Sequence, residues 1–175
     1  MRVSSPAWLL RTTVTLPSSP PGQVGDFIYY DTVINAIEYL NKQNIPYVLF
    51  VSPKLVGQNG YITSAQIIEL SDNPLCTIGF HSRDHIYMRG LKKSEFAYEI
   101  DCKDFEKKYG IKCNYFAYPY GSTMACSLKN ILAIKKSNYK AAFGTIDAKT
   151  NKKMVEKHPY YIPRINISER SLNKN

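Results

Sequence analysis

Two histidines four residues apart, His81 and His85 in the run Gly79-Phe80-His81-Ser82-Arg83-Asp84-His85, carry the strongest chemical signal in the chain. Neutral imidazole is a good ligand for zinc, cobalt, nickel or iron. Two such rings can share one ion if the backbone between them is helical or tightly curled. Two ligands are too few for a catalytic centre, which usually has three and an open position for water. The plainer alternative is a pair of half-exposed loop histidines.

A second segment, Phe116-Ala117-Tyr118-Pro119-Tyr120-Gly121, combines a fixed φ at Pro119 with a permissive glycine. Such a loop can aim a backbone N–H at a reacting oxygen, or be an ordinary turn. A third, Tyr161-Ile162-Pro163-Arg164-Ile165, sets one arginine in an apolar stretch. If buried, that guanidinium needs an anionic partner, such as a carboxylate at the site; otherwise it faces bulk solvent.

The elements that must position these residues alternate between strand and helix patterns. Apolar runs predict strands over 8–16, 47–51, 75–80, 114–118, 140–145 and 160–167. Residues 17–25 form a Pro/Gly/Ser loop. The spacing predicts a helix capped by Asp31 and running to about Asn44, with Val33, Ile34, Ile37 and Leu40 on one face. Further helices open at Thr63 or Ser64 (with Ile67, Ile68 and Leu70), span 94–109 up to Gly110, and run from Ser127 to Lys136 on Leu128, Ile131 and Leu132. The tail after Ser168 is polar and frayed. This alternation implies a parallel α/β architecture in one domain spanning residues 1–175, with a core of about 8–167. In such folds, sites sit on loops at the carboxyl ends of strands, where all three motifs fall.

Composition bounds the rest. Of 175 residues, 44% are hydrophobic and 21% charged, ordinary for a folded domain. Fourteen tyrosines suit a protein that handles sugars, since a phenol offers an apolar face and a polar tip; they equally suit a tyrosine-rich core. The net charge of +9 comes from dispersed lysines, the tightest group being Lys149, Lys152, Lys153 and Lys157. No nucleic-acid-binding signature accompanies them, so nucleic acid is not an expected partner. Cys76, Cys102, Cys113 and Cys126 form no C-x-x-C pair, which argues against a zinc knuckle. Reduced thiols and the absence of a membrane-spanning run or signal core point to the cytoplasm, unless a signal peptide has been removed.

The three motifs, in this order, resemble the polysaccharide deacetylases of the NodB-homology type. The family's H-[S/T]-x-x-H corresponds to His81, Ser82 and His85, and its F-x-Y-P-Y-G to Phe116 through Gly121. Asn138-Tyr139-Lys140-Ala141-Ala142-Phe143 followed by Pro163-Arg164-Ile165 is similar to the closing segment of one branch, and AIEYLNKQNIPYVLFV to the first helix and second strand. The likeness runs from about Leu9 to Ile167.

The resemblance implies a distorted (β/α) barrel of seven or fewer strands. It implies a divalent metal, usually zinc and sometimes cobalt or nickel, on His81, His85 and an aspartate. The activity would be deacetylation of N-acetyl sugars in a polysaccharide, oligosaccharide or glycolipid, as in surface-polysaccharide biosynthesis. It further implies that the backbone near Tyr120 stabilises the oxyanion and that Ser82 orients the histidine loop. Arg164 would hold the basic aspartate. Tyr118, Pro119, Gly121 and Ser82 would line the substrate side.

One motif departs from the family. The T-F-D-D-G segment, which supplies base and third ligand, corresponds to Thr15-Leu16-Pro17-Ser18-Ser19, with no carboxylate. Three explanations stand side by side. Asp26 or Asp31 could replace it, or cap the first helix. Asp84 could turn inward, or face solvent. The protein could bind sugar without deacetylating it. His158 reads as a surface histidine.

Overall fold

The computed structural model of the chain describes residues 30–146 and 148–164. The expected first strand (8–16) and its loop, and with them Pro17, Ser18 and Asp26, lie outside these residues, as do the side chain of Asp31 and the tail.

Helix α1 (Tyr30–Lys42) leads into strand β1 (Tyr47–Val51). A short 3-10 turn (Pro53–Leu55) and helix α2 (Ser64–Ser71) follow, then β2 (Cys76–Phe80). Helices α3 (Lys93–Ile100) and α4 (Lys103–Tyr109) precede β3 (Tyr115–Ala117). Helix α5 (Leu128–Lys135), β4 (Ala141–Phe143) and α6 (Lys152–Lys157) complete the described order. The four strands form one parallel sheet in the sequential order β1-β2-β3-β4. Tyr47 pairs with Cys76, Phe80 with Phe116, and Ala117 with Phe143. Sequential parallel strands joined by helices are the wall pattern of a (β/α) barrel, and the α/β expectation is met.

Strand alternation splits the core in two. Leu49, Val51, Ile78, Phe80, Phe116 and Ala142 face the helices with Ile37, Leu40, Ile67, Leu70 and Phe105. Val48, Phe50, Tyr115, Ala117, Ala141 and Phe143 fill the other face, with Val155 and Ile162. Both faces of β1 are buried, which is why YVLFV is a continuous apolar run. Phe50 and Phe143 pack with ring centroids 5.5 Å apart. Residue 81 follows Phe80, so its side chain is turned to the second face, with the His81 and Phe50 ring centroids 6.5 Å apart.

Several expectations are corrected. The helix predicted over 94–109 is two, because Asp101 is extended (φ −79, ψ 108) and its carboxylate accepts from the Lys103 N–H at 3.2 Å. Gly110 still closes the second in the left-handed region (φ 66). The strand predicted over 160–167 is, among the described residues, a single bridge from Ile162 to Phe143. Helix α6, capped by Asn151, arises where the lysine-rich segment gives no apolar period beyond Val155. Helix α5 does not bury Leu128 and Leu132, which are exposed. Its facing side is set instead by buried Asn130, whose amide nitrogen donates to the Met88 carbonyl and whose Oδ1 accepts from the Ser127 N–H. Ile68 likewise faces out, while Ile67 and Leu70 are buried. No helix among the described residues is long and apolar enough to cross a membrane.

Candidate functional site

The site forms where the chain leaves β2 and β3. The His81 N–H continues the ladder by donating to the Val51 carbonyl at 3.0 Å, and the Ser52 hydroxyl donates to the His81 carbonyl at 2.6 Å. The loop then curls tightly instead of becoming helical. Ser82 and His85 both adopt left-handed φ (63° and 55°), and the Ser82 hydroxyl accepts from the His85 N–H at 3.0 Å. This folds the second imidazole back on the first, with ring centroids 4.9 Å apart. Of four described non-glycine residues with positive φ, three lie here: Ser82, His85 and Tyr120. Each costs on the order of 1 kcal/mol and persists only where its surroundings hold it.

His81 is fixed further. Its Nδ1 lies 2.8 Å from the Ala117 carbonyl, which can only accept, so Nδ1 carries the proton and Nε2 keeps its lone pair. Burial, then the neighbouring His85, and to a lesser degree Arg164, hold its pKa well below the ordinary histidine range. A neutral, oriented imidazole with Nε2 as acceptor is the form that ligates a metal. A recess of about 20 Å³ lined by His81, His85, Phe50, Ser52 and Tyr61 is large enough for one water-sized group.

The second wall follows β3. Tyr118 and Pro119 are fully buried, and the Tyr118 hydroxyl donates to the Tyr160 carbonyl at 3.0 Å. Burial raises the Tyr118 phenol pKa, keeping it a donor. Tyr120 turns left-handed (φ 58) and presents its ring between His85, at 5.1 Å, and Tyr87, on which it stacks at 4.1 Å and 4°. Gly121 (φ 41) cannot be replaced: a Cβ there would lie 2.6 Å from Thr145 Cγ2 and 2.8 Å from its backbone nitrogen. The Gly121 carbonyl accepts from the Thr145 N–H at 2.9 Å and from the Tyr161 hydroxyl at 2.6 Å.

Arg164 is buried, its N–H on the Ile146 carbonyl at 3.0 Å and its Nε–H on the Gly144 carbonyl. Its charge reaches His81. The structure thus brings together His81, His85, Tyr120 and Arg164. Ser82, Tyr118 and Pro119 are buried beside them, and Gly121 shapes the wall.

Asp84, read from the sequence as either turned inward or facing solvent, is engaged with a lysine. Its carboxylate lies 3.3 Å from Lys54 Nζ, and its N–H donates to Glu99 Oε2 at 3.0 Å. Among the described residues, no acidic or thiol group completes a set of three with the two imidazoles within 4.8 Å. As placed, Asp84 is engaged by Lys54 and by Glu99 of α3 and not by the imidazoles. The donor set fits a divalent metal as far as two adjacent imidazoles go, with His81 oriented by Ala117, and a third ligand is not among the described residues.

Sequence reasoning missed Tyr87 and Glu99. Tyr87 is 56% exposed and forms the outer ring of the stack; an aromatic two places after His85 was the available signal. Glu99 is a buried acid on α3 that braces the histidine loop, its carbonyl accepting from the Arg83 N–H at 3.0 Å. Nothing in the sequence separates it from surface acids.

Residues 26–142 match the family described as polysaccharide deacetylase, well over half of the chain, and the chain belongs to that family. The matched stretch includes His81, His85 and Tyr120. The same fold occurs in the Streptococcus pyogenes deacetylase PplD, solved in complex with acetate (TM-score 0.70, 19% identity, over 80% of this chain and 61% of that one). It occurs also in IcaB from Ammonifex degensii (TM-score 0.62, 23% identity, 78% and 62%). A third is a de-N-acetylase from Aggregatibacter actinomycetemcomitans (TM-score 0.60, 19% identity, 79% and 67%). The chain thus spans about three fifths of the first two solved chains. A comparison with curated protein sequences gives no match.

Proposed function

We propose that the protein hydrolyses the acetamide of N-acetyl sugars in a polysaccharide, oligosaccharide or glycolipid, using a divalent metal held by His81 and His85. Zinc is the expected ion, with cobalt or nickel as substitutes. The observation that carries this reading is the imidazole pair itself: buried, curled together by two left-handed residues, with His81 Nδ1 committed to Ala117.

When bound, the ion supplies Lewis acidity toward the acetyl carbonyl and acidifies water. In the overall reaction the amide C–N bond breaks, the oxygen of water joins the acetyl carbon as acetate, and the sugar nitrogen gains a proton. His81 and His85 would hold the ion, and the Ala117 carbonyl fixes the His81 tautomer. The backbone at Tyr120, in a left-handed turn beside Gly121, would stabilise the developing oxyanion. The flat, exposed ring of Tyr87, stiffened by Tyr120 beneath it, offers the apolar face of a sugar ring a platform. Arg164 keeps positive charge near His81 and disfavours its protonation.

A second reading is a sugar-binding protein on the same scaffold without hydrolysis. The sequence favours it at one point: Thr15-Leu16-Pro17-Ser18-Ser19 carries no carboxylate where the family has its aspartate pair. Acetate release from N-acetylated oligosaccharides, measured with zinc for the parent and for His85→Ala, separates the two. Release abolished in the variant supports the hydrolase. Sugar binding without release in either protein supports the binder.

A further inference from the structure

A second group of metal-binding side chains lies away from the imidazoles. Cys102 caps α4, Glu106 stands one helical turn further along, and Cys113 lies in the loop just before β3. Their ligand atoms all lie within 4.8 Å of one another, the one such group of three among the described residues. The structure leaves all four described cysteines as free thiols. Cys113 is buried, while Cys102 and Glu106 are half-buried, so an ion has both a sheltered seat and a way in.

The chemistry of this group is directional. The Cys102 and Cys113 sulfurs lie within 4.8 Å of each other and of a Glu106 carboxylate oxygen, so one small ion can reach all three. The Glu106 carboxylate is anchored by the Cys113 N–H, which donates to Oε1 at 2.8 Å. That bond fixes the carboxylate beside the thiols, as an outer hydrogen bond fixes a metal ligand, and leaves Oε2 to ligate. Placing Cys at the helix cap and Glu four residues later puts both on one face of α4. The loop then returns Cys113 to the same point after Gly110 ends the helix in the left-handed region.

We propose that Cys102, Glu106 and Cys113 form a second metal site, selective for a thiophilic divalent ion such as zinc, cobalt(II) or cadmium. Two sulfurs and one oxygen are a donor set for tetrahedral zinc with water in the fourth position, and a poor one for magnesium or calcium. Binding as thiolates releases the thiol protons to solvent. The bound ion ties the start of α4 to the amino end of β3, opposite the strand ends that carry His81 and Tyr120. Its role is therefore to brace the helix layer, independently of the acetamide chemistry. The proposal also means that total metal content alone misreports the imidazole site.

Cobalt(II) separates the two sites, because cysteine thiolate gives an intense thiolate-to-cobalt charge-transfer band and imidazole does not. The full chain, kept reduced and free of oxygen, is titrated with cobalt(II) as parent, His85→Ala, Cys102→Ser and Cys113→Ser, with circular dichroism to confirm folding. The band is expected in the parent and in His85→Ala, and is lost in each folded serine variant. Should Cys113→Ser fail to fold because its site is buried, half-buried Cys102→Ser carries the test. No band in the parent at saturating cobalt, or a band that persists in folded Cys102→Ser, overturns the proposal.

Discussion

The loops at the carboxyl ends of β2 and β3 and the helix layer behind them solve opposite problems. In residues 81–87 and 118–121 the chain accepts three left-handed non-glycine residues and buries two imidazoles. Behind them, α2 and α5 follow the local rules. Thr63 with Gln66 and Ser127 with Asn130 make reciprocal capping boxes, and Ile67, Leu70 and Ile134 are buried. Strain concentrated in one place and absent from the other shows where the fold has been shaped for something besides stability. The helix layer supplies the rigidity: Glu99 of α3 and Asn130 of α5 brace the loops that hold the strain.

That contrast can be broken from the scaffold side first. Phe116 is fully buried in β3 and packs on Phe80 and Tyr139. Phe116→Ala is expected to lower unfolding stability by about 3–5 kcal/mol, read from the urea midpoint. A pH series sharpens the loop side. The folded His81 pKa lies below its unfolded value of about 6.5, so the unfolded chain takes up the proton first as pH falls. The stability His81 contributes to the metal-free protein is complete above about pH 6.5 and is lost as pH drops toward the folded pKa. His81→Gln flattens that slope in chemical denaturation.

Smaller effects follow at the rim and at the caps. Tyr87→Ala removes the exposed half of the stack and is expected to raise KM about two- to tenfold with kcat little changed, while Tyr87→Phe stays near the parent. Ser127→Ala costs about 1 kcal/mol of stability through the α5 cap and leaves KM alone.

The same contrast explains what the sequence made legible. Residues 47–51 and 75–80 announce strands because both faces of the sheet are covered, and Gly110 announces a helix end. The break at Asp101 is invisible because helical periodicity continues across it. The burial of Leu128 and Leu132 was misjudged because a polar residue, Asn130, decides which side of α5 faces in. In the site, the histidines were legible by type and spacing. Their approach was not, since it depends on left-handed backbone at Ser82 and His85 that no residue type forces. For Asp84 the sequence left inward and solvent-facing readings open, and the placement of Lys54 and Glu99 shows what engages it.

The most direct test of the imidazole pair is metal retention after dialysis, in a Cys102→Ser background so that the second site is disabled. The account predicts about one zinc per chain in that background, as for a single zinc centre, and none once His85→Ala is added to the folded protein. No retained zinc, or zinc unchanged by His85→Ala, would contradict it.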